Sequence, residues 1–397
     1  MPPPAPDDAE LQPLLGQLRD PNLRFPAQPV FVTDLDVFEM PDGLGFQFRG
    51  GEMPVILRGS KIGPVIEFLR AKLDGTSTID SLLDRCPPEI GAVTLLRSLL
   101  LLHGKGLLMN GAGGGVAADA DVRRDPVLGR QLLYWGRHLD ITRSASSAAE
   151  VQRRLETADV AVLGTGAFGA ATADLLARSG CSRYRVLAWD DDGLLAETLD
   201  AAPVPPLVLT RLETTAIDAA LDVVRTWIES IDLLVTATCD APRALFRGIN
   251  DLALRHRRPW LHANTDASAV DIGPLIHPFE SSCYTCLELR ARSAEALAIE
   301  NELYQARLAG EREAGRRSIV GEALWPATLA ASIVVGEAFR VLTGIAPATL
   351  VDSVLRISPI TGRVEQNRVT RVPRCPDCYR GPIAPQPVEA VESIFAP

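Results

Sequence analysis

Four cysteines, Cys283, Cys286, Cys375 and Cys378, stand as two C-x-x-C pairs. A C-x-x-C turn presents two thiolates to one ion, and two such turns complete a tetrahedral S4 shell, which suits zinc. With no open coordination position such a site is structural, and it would pin the C-terminal segment back onto the preceding domain. The competing reading is two unrelated pairs, one of them a redox dithiol. It is the weaker one, because neither pair is expected to open a helix after a strand in the thioredoxin manner. Cys86, Cys181 and Cys239 stand alone, so seven cysteines in all favour reduced thiols and a cytoplasmic protein over a disulfide framework. His262 and His277 lie near the quartet in sequence and read as ordinary polar residues.

The second chemical signal is Gly164, Gly166 and Gly169, a G-x-G-x-x-G after the apolar run Val160 to Leu163. In such a unit the first glycine turns the chain, the second lets a phosphate approach the backbone, and the third lets helix pack close to strand. Ala170 to Ser179 suits the helix, Tyr184 to Ala188 the next strand, and Asp190 follows where a ribose-binding acid would stand. A second buried strand, Asp232 to Ala237, ends in Thr238-Cys239-Asp240, at the edge where open α/β sheets place their sites. Asp240 is a candidate cation-binding carboxylate, although a carboxylate ending a strand is also a common helix cap. Cys239 is the one candidate nucleophile, and burial is the commoner fate of such a cysteine.

These signals need elements to carry them. Residues 1–24 are Pro-rich and acidic and read as a disordered tail, without the basic start and apolar core of a secretory signal. Residues 25–110 give three strands, the last Pro54 to Arg58, and then three helices, Ile62–Leu73, Ile79–Leu83 and Glu89–His103, a winged-helix-like order. Acidic residues outnumber basic ones there, so no DNA-recognition helix is expected. The third helix holds four consecutive leucines, Leu99 to Leu102, which cannot all face one core on a 3.6-residue period. Burial between domains is the plainer account. An apolar groove beside strand Pro54–Arg58, into which an extended peptide adds as a strand, is the other. Residues 111–155 are a connector and 156–380 an α/β domain. Within it Ser293 to Arg317 reads as one exposed polar helix, and Glu322 to Leu342 as a strong helix with small residues. Residues 381–397 are a second tail. The formal net charge of −10 argues against nucleic acid as a partner, and no run of about 18 apolar residues suggests a membrane span.

In order, VAVLGTGAFG, DLLVTATCDAP, GPLIHPFESSCYTCLELR, GEALWPATLAASIVVGEAFRVLTG and CPDC resemble ThiF-like proteins of the ubiquitin-activating superfamily. With DGLGFQFRGGEMPVILRG, KLDGTSTIDSLL and HGKGLL in front, the chain is similar to one branch. That branch comprises the leader-peptide-binding partners (RiPP recognition elements joined to a ThiF-like body) in thiazole/oxazole-modified peptide (TOMM) biosynthesis. The resemblance spans about residues 25–380. It implies a winged-helix-like peptide-recognition domain followed by a Rossmann-type α/β domain with a structural Zn2+ on the Cys quartet. It implies a precursor leader held by Val55, Ile56, Leu57, Arg58, Leu96, Leu99 and Leu100, a YcaO-type cyclodehydratase as partner, and a homodimer through helix Glu322–Leu342. It also places a vestigial nucleotide site at Gly164, Gly166, Gly169, Asp190 and Asp240. Adenylating relatives follow the acid with a basic helix, whereas no Arg or Lys lies between Asp190 and Arg211 here. ATP is therefore not expected, and the chain reads as a scaffold without catalytic residues. The alternative is an ATP-dependent enzyme that adenylates a peptide or carrier-protein carboxyl.

Overall fold

The computed structural model describes residues 6–32, 35–41, 45–49, 54–59, 61–111, 126–138, 145, 147–189, 193–200, 204–212, 214–266, 269–315 and 321–379. The chain divides into two compact units. One comprises Met1–Leu155 with Thr343–Pro347, and the other Glu156–Leu342 with Ala348–Pro397.

The first unit begins with helix α1 (Pro6–Leu18) and strand β1 (Pro29–Phe31). Strands β2 (Asp36–Met40), β3 (Gly45–Arg49) and β4 (Val55–Leu57) form an antiparallel sheet with Phe46 opposite Leu57 and Phe48 opposite Val55. Helices α2 (Ile62–Lys72), α3 (Ile79–Asp84) and α4 (Ala92–Gly104) follow, and then β5 (Leu108–Asn110), which pairs back with β1. Helices α5 (Pro126–His138) and α6 (Ala148–Thr157) close the unit. Thr78 caps α3 by accepting the Ser81 N–H at 3.3 Å, the role expected of a threonine at that place. The core holds Phe46, Phe48, Leu57, Val65, Ile66, Leu69 and one face of α4.

The lead-in expected to be disordered is helical instead. Leu11, Leu14, Leu15 and Leu18 fall on one side of α1 and pack on the core, with Leu18 buried. Glu10 pairs with Arg97 at 2.9 Å and Arg19 with Asp80 at 2.8 Å. An i, i+3, i+4, i+7 leucine pattern hidden in a Pro-rich start is enough to make an amphipathic helix. The second tail, 381–397, lies outside the described residues.

The second unit runs β6 (Asp159–Gly164), α7 (Gly166–Arg178), β7 (Arg183–Trp189), α8 (Leu194–Asp200), β8 (Val208–Leu212), α9 (Ile217–Trp227), β9 (Leu233–Cys239), α10 (Arg243–His256) and β10 (Trp260–Thr265). It continues as β11 (Val270–Ile276), α11 (Tyr284–Ala294), α12 (Ala298–Glu313), α13 (Leu324–Thr343), β12 (Ser353–Ser358) and β13 (Arg363–Arg368). One eight-stranded sheet has the order β13-β12-β11-β10-β9-β6-β7-β8. Strands β8, β7, β6, β9 and β10 are parallel, and their order, 3-2-1-4-5 along the chain, is that of a Rossmann sheet with its switch point between β6 and β9. Strands β11 to β13 extend it as antiparallel hairpins. The polar stretch 293–317 is not one exposed helix. Residues up to Ala294 end α11, and α12 buries Leu308 and Arg312. Helix α13 is the one described helix long and apolar enough to cross a bilayer, but half of that stretch is buried, as in a core helix.

Candidate functional site

At the point where the sheet reverses, β6 hands over to α7 through Gly164-Thr165-Gly166. A Cβ on Gly164 would stand 2.9 Å from the Gly169 Cα, so strand and helix touch where only glycines fit. Thr165 is the N-cap residue of α7, yet its side chain makes no capping bond. Its hydroxyl instead accepts the Cys239 N–H at 2.6 Å, which ties the ends of β6 and β9 together. The first turn of α7 is capped from far away. The Glu322 carboxylate accepts the Ala167 N–H at 2.7 Å and the Phe168 N–H at 2.9 Å. Gly166 has φ +52°, and a Cβ there would meet Glu322 Oε2 at 2.4 Å. A carboxylate thus lies against the amides to which a phosphate would bind. The residues present do not fit a nucleotide as they stand. Asp190 lies outside the described residues.

Asp240 follows β9 with φ +49°, an uncommon conformation for a non-glycine residue. Its N–H donates to the Thr265 carbonyl at 2.7 Å. Burial pushes its carboxyl above the ordinary range, with Asp266 adding and a hydrogen bond from Tyr304 opposing. Burial lifts the Cys239 thiol to about 11, with Glu322, Asp240 and Asp266 adding their charge. At neutral pH Cys239 is therefore a thiol, a poor nucleophile. Asp240 also borders a cavity of about 940 Å³ whose lining includes Phe246, His262 and Tyr284. His262 is a core residue. Its ring lies 4.4 Å from that of Phe246 and 5.2 Å from that of Tyr284, and burial holds it neutral with a pKa of about 3.

The four cysteines of the two C-x-x-C pairs converge, although 92 residues separate the pairs. Their sulfurs lie 3.8 Å apart for Cys283–Cys286, 3.7 Å for Cys283–Cys375 and 3.6 Å for Cys286–Cys378, and all four are buried. A regular tetrahedron with such edges has its centre about 2.3 Å from each corner, the length of a metal–thiolate bond. The set can hold one metal ion. Asn250, fully buried on α10, braces both turns. Its Oδ1 accepts the Tyr284 N–H at 3.0 Å and its Nδ2 donates to Asp377 at 3.1 Å. Thr285 donates to the same carboxylate, and the Val372 N–H points at Cys286 Sγ. Contrary to the expectation from sequence, Cys283 does open a helix, as the N-cap residue of α11. It is the convergence with Cys375 and Cys378, not the lack of a helix, that separates the set from a redox dithiol.

The residues expected to hold a peptide divide into two groups. Val55, Ile56 and Leu57 form β4, which among the described residues pairs only on its β3 side. Ile56 is 45% exposed and Arg58 is exposed, whereas Leu57 is buried. Leu96 and Leu99 are both 0% exposed. With Leu95 and Leu102 they supply the core stripe of α4, so they are packing residues rather than a peptide-facing surface. The rest of the leucine run points elsewhere: Leu100 is half-buried and Leu101 is 46% exposed. A helical period spreads four successive leucines around the axis, and the structure resolves the run in that way.

The ThiF family model matches residues 206–378. By structure the chain is similar to E. coli MccB with ATP, at 15% identity and a TM-score of 0.59 over 88% of this chain and 99% of that one. It is similar also to the microcin C7 biosynthetic enzyme MccB in complex with N-formylated MccA, at 16% identity and a TM-score of 0.61 over 88% and 99%. A heterocyclase in complex with substrate and cofactor follows at 13% identity and a TM-score of 0.55, over 88% of this chain and 39% of that one. At these identities the likeness is one of fold. No curated protein matches the chain.

Proposed function

Because a ThiF family domain occupies residues 206–378, we propose that this chain is a leader-binding scaffold of thiazole/oxazole-modified peptide biosynthesis. Its first unit is a winged-helix-like recognition element that takes the leader of a ribosomally made precursor as an added strand on β4. The chain then presents the precursor's core to a YcaO-type cyclodehydratase in the cytoplasm. The observation that carries this reading is the edge of β4 that no strand pairs among the described residues, with Ile56 exposed on it. An edge strand offers backbone donors and acceptors for a new strand, and alternate side chains read its sequence. The four buried thiols hold zinc, which fastens the segment 371–379 to α10 and α11. The exposed side chains of α13, Leu324, Trp325 and Leu329, cover one another in a homodimer.

Fluorescein-labelled peptides encoded beside this chain's gene provide the probe, titrated into the full chain. Saturable binding is expected, weakened about tenfold or more by Ile56→Asp, with the unfolding midpoint little changed because Ile56 lies outside the core. Equal affinity in the variant would refute strand addition at β4. A second reading is adenylation of a peptide carboxyl. Asp240 favours it, strained and desolvated at the β9 end, as does the fold shared with MccB, which has been solved with ATP. Pyrophosphate exchange dependent on ATP, Mg2+ and peptide would establish that reading and remove the scaffold one.

A further inference from the structure

We infer that Glu322 is a built-in occupant of the anion cradle at the head of α7, and that a phosphate group enters only when this carboxylate leaves. Two independent features point there. The first is the direct contact: two carboxylate oxygens on two successive amides, from a residue 155 positions away along the chain. The second is the diversion of the local cap. A threonine at an N-cap normally accepts one of the free amides of its own helix. Thr165 accepts the Cys239 N–H with its hydroxyl instead, and Glu322 takes the capping place on the amides of Ala167 and Phe168. Gly166 completes the fit, because at φ +52° and with Glu322 Oε2 at 2.4 Å from any Cβ, a side chain there would expel the carboxylate.

The consequence is competitive. Helix N-termini bind carboxylates and phosphates through the same amides and the same partial positive charge. An internal carboxylate is present at high effective concentration and need not be ordered from solution. It also places negative charge near Asp240 and Asp266, all three acting on Cys239, so an incoming phosphate meets repulsion as well as occupancy. The glycine turn is thus self-occupied. This inference does not depend on leader binding, and its test uses no peptide.

The test compares the full chain with Glu322→Ala and Glu322→Gln, the latter nearly isosteric. Binding of inorganic pyrophosphate and of MgATP is measured by calorimetry, and amide exchange over residues 164–170 by mass spectrometry. Removal of the carboxylate should speed exchange at Ala167 and Phe168 and tighten pyrophosphate and ATP binding on the order of tenfold. Addition of pyrophosphate to either variant should restore the protection. Equal affinity in the wild-type chain and in both variants would overturn the inference. So would wild-type exchange rates in Glu322→Ala, since the carboxylate would then not be the partner of those amides.

Discussion

Because Glu322 caps the head of α7 beside Gly166, part of the cost of removing it must depend on Gly166. Glu322→Ala loses two charge-assisted bonds to Ala167 and Phe168, a distant N-cap worth about 1–2 kcal/mol, with the helix dipole adding up to about 1. The expected loss of stability is about 1–3 kcal/mol. Gly166→Ala adds a methyl group whose carbon would stand 2.4 Å from Glu322 Oε2 at φ +52°. The left-handed conformation costs alanine about 1–2 kcal/mol. The carboxylate is the mobile end of a side chain, so it swings away and forfeits the same two bonds. Gly166→Ala should therefore cost about 2–5 kcal/mol, and in its background Glu322→Ala should cost about 1–3 kcal/mol less than in the wild type. The sub-additivity, about 1–3 kcal/mol, is the interaction energy of the pair. Urea unfolding of the wild type, both single variants and the double variant measures it. A Glu322→Ala cost that is the same in both backgrounds would refute the reasoning, because the carboxylate would then owe its place to other contacts.

Three further outcomes follow from the geometry. Cys375→Ser should reduce bound zinc from one equivalent per chain to a small fraction and destabilise the second unit by several kcal/mol; metal analysis of the purified variant settles it, and full occupancy would dismiss the S4 set. Leu99→Ala, in the core stripe of α4, should cost about 2–5 kcal/mol of first-unit stability, while a labelled leader binds the folded fraction as tightly as it binds wild type. Its contrast with Ile56→Asp separates packing from recognition. His262, neutral with a pKa of about 3 in the fold against about 6.5 unfolded, contributes stability that is complete above pH 6.5 and declines as pH falls. Between pH 6.5 and 4.5 the wild type should lose about 2 kcal/mol that His262→Gln does not lose, and parallel stability curves would show that the imidazole is not desolvated.

The strongest local signals in the sequence survive in the structure. Val160 to Leu163 is buried on both faces, and such a strand reads as a bare apolar run. Gly164 and Gly169 stand where the chain touches itself, and the spaced cysteines converge into a set that can hold one metal ion. The edge strand Val55–Leu57 could be read, but the surface beside it could not. Four successive leucines carry no period of their own, and only the packed helix shows that Leu95, Leu96, Leu99 and Leu102 turn inward while Leu101 does not. Helix α1 was obscured by prolines, although its leucine spacing was present in the sequence. Strand β8 and helix α8 went unseen because they are short and half-exposed at the sheet's edge.

Glu322 illustrates a different limit. A lone glutamate ahead of a helix has no pattern, and its partners lie 154 and 155 residues away. What the sequence did hold was a glycine turn and a following acid, Asp190, with no Arg or Lys between Asp190 and Arg211. A cradle of backbone amides still has to be satisfied. When no polyphosphate sits there, water, another anion or one of the chain's own carboxylates must cap the helix. An internal carboxylate needs no ligand in solution, and it stabilises α7 for as long as no phosphate displaces it. The distant glutamate therefore gives the glycine turn a part in holding the fold.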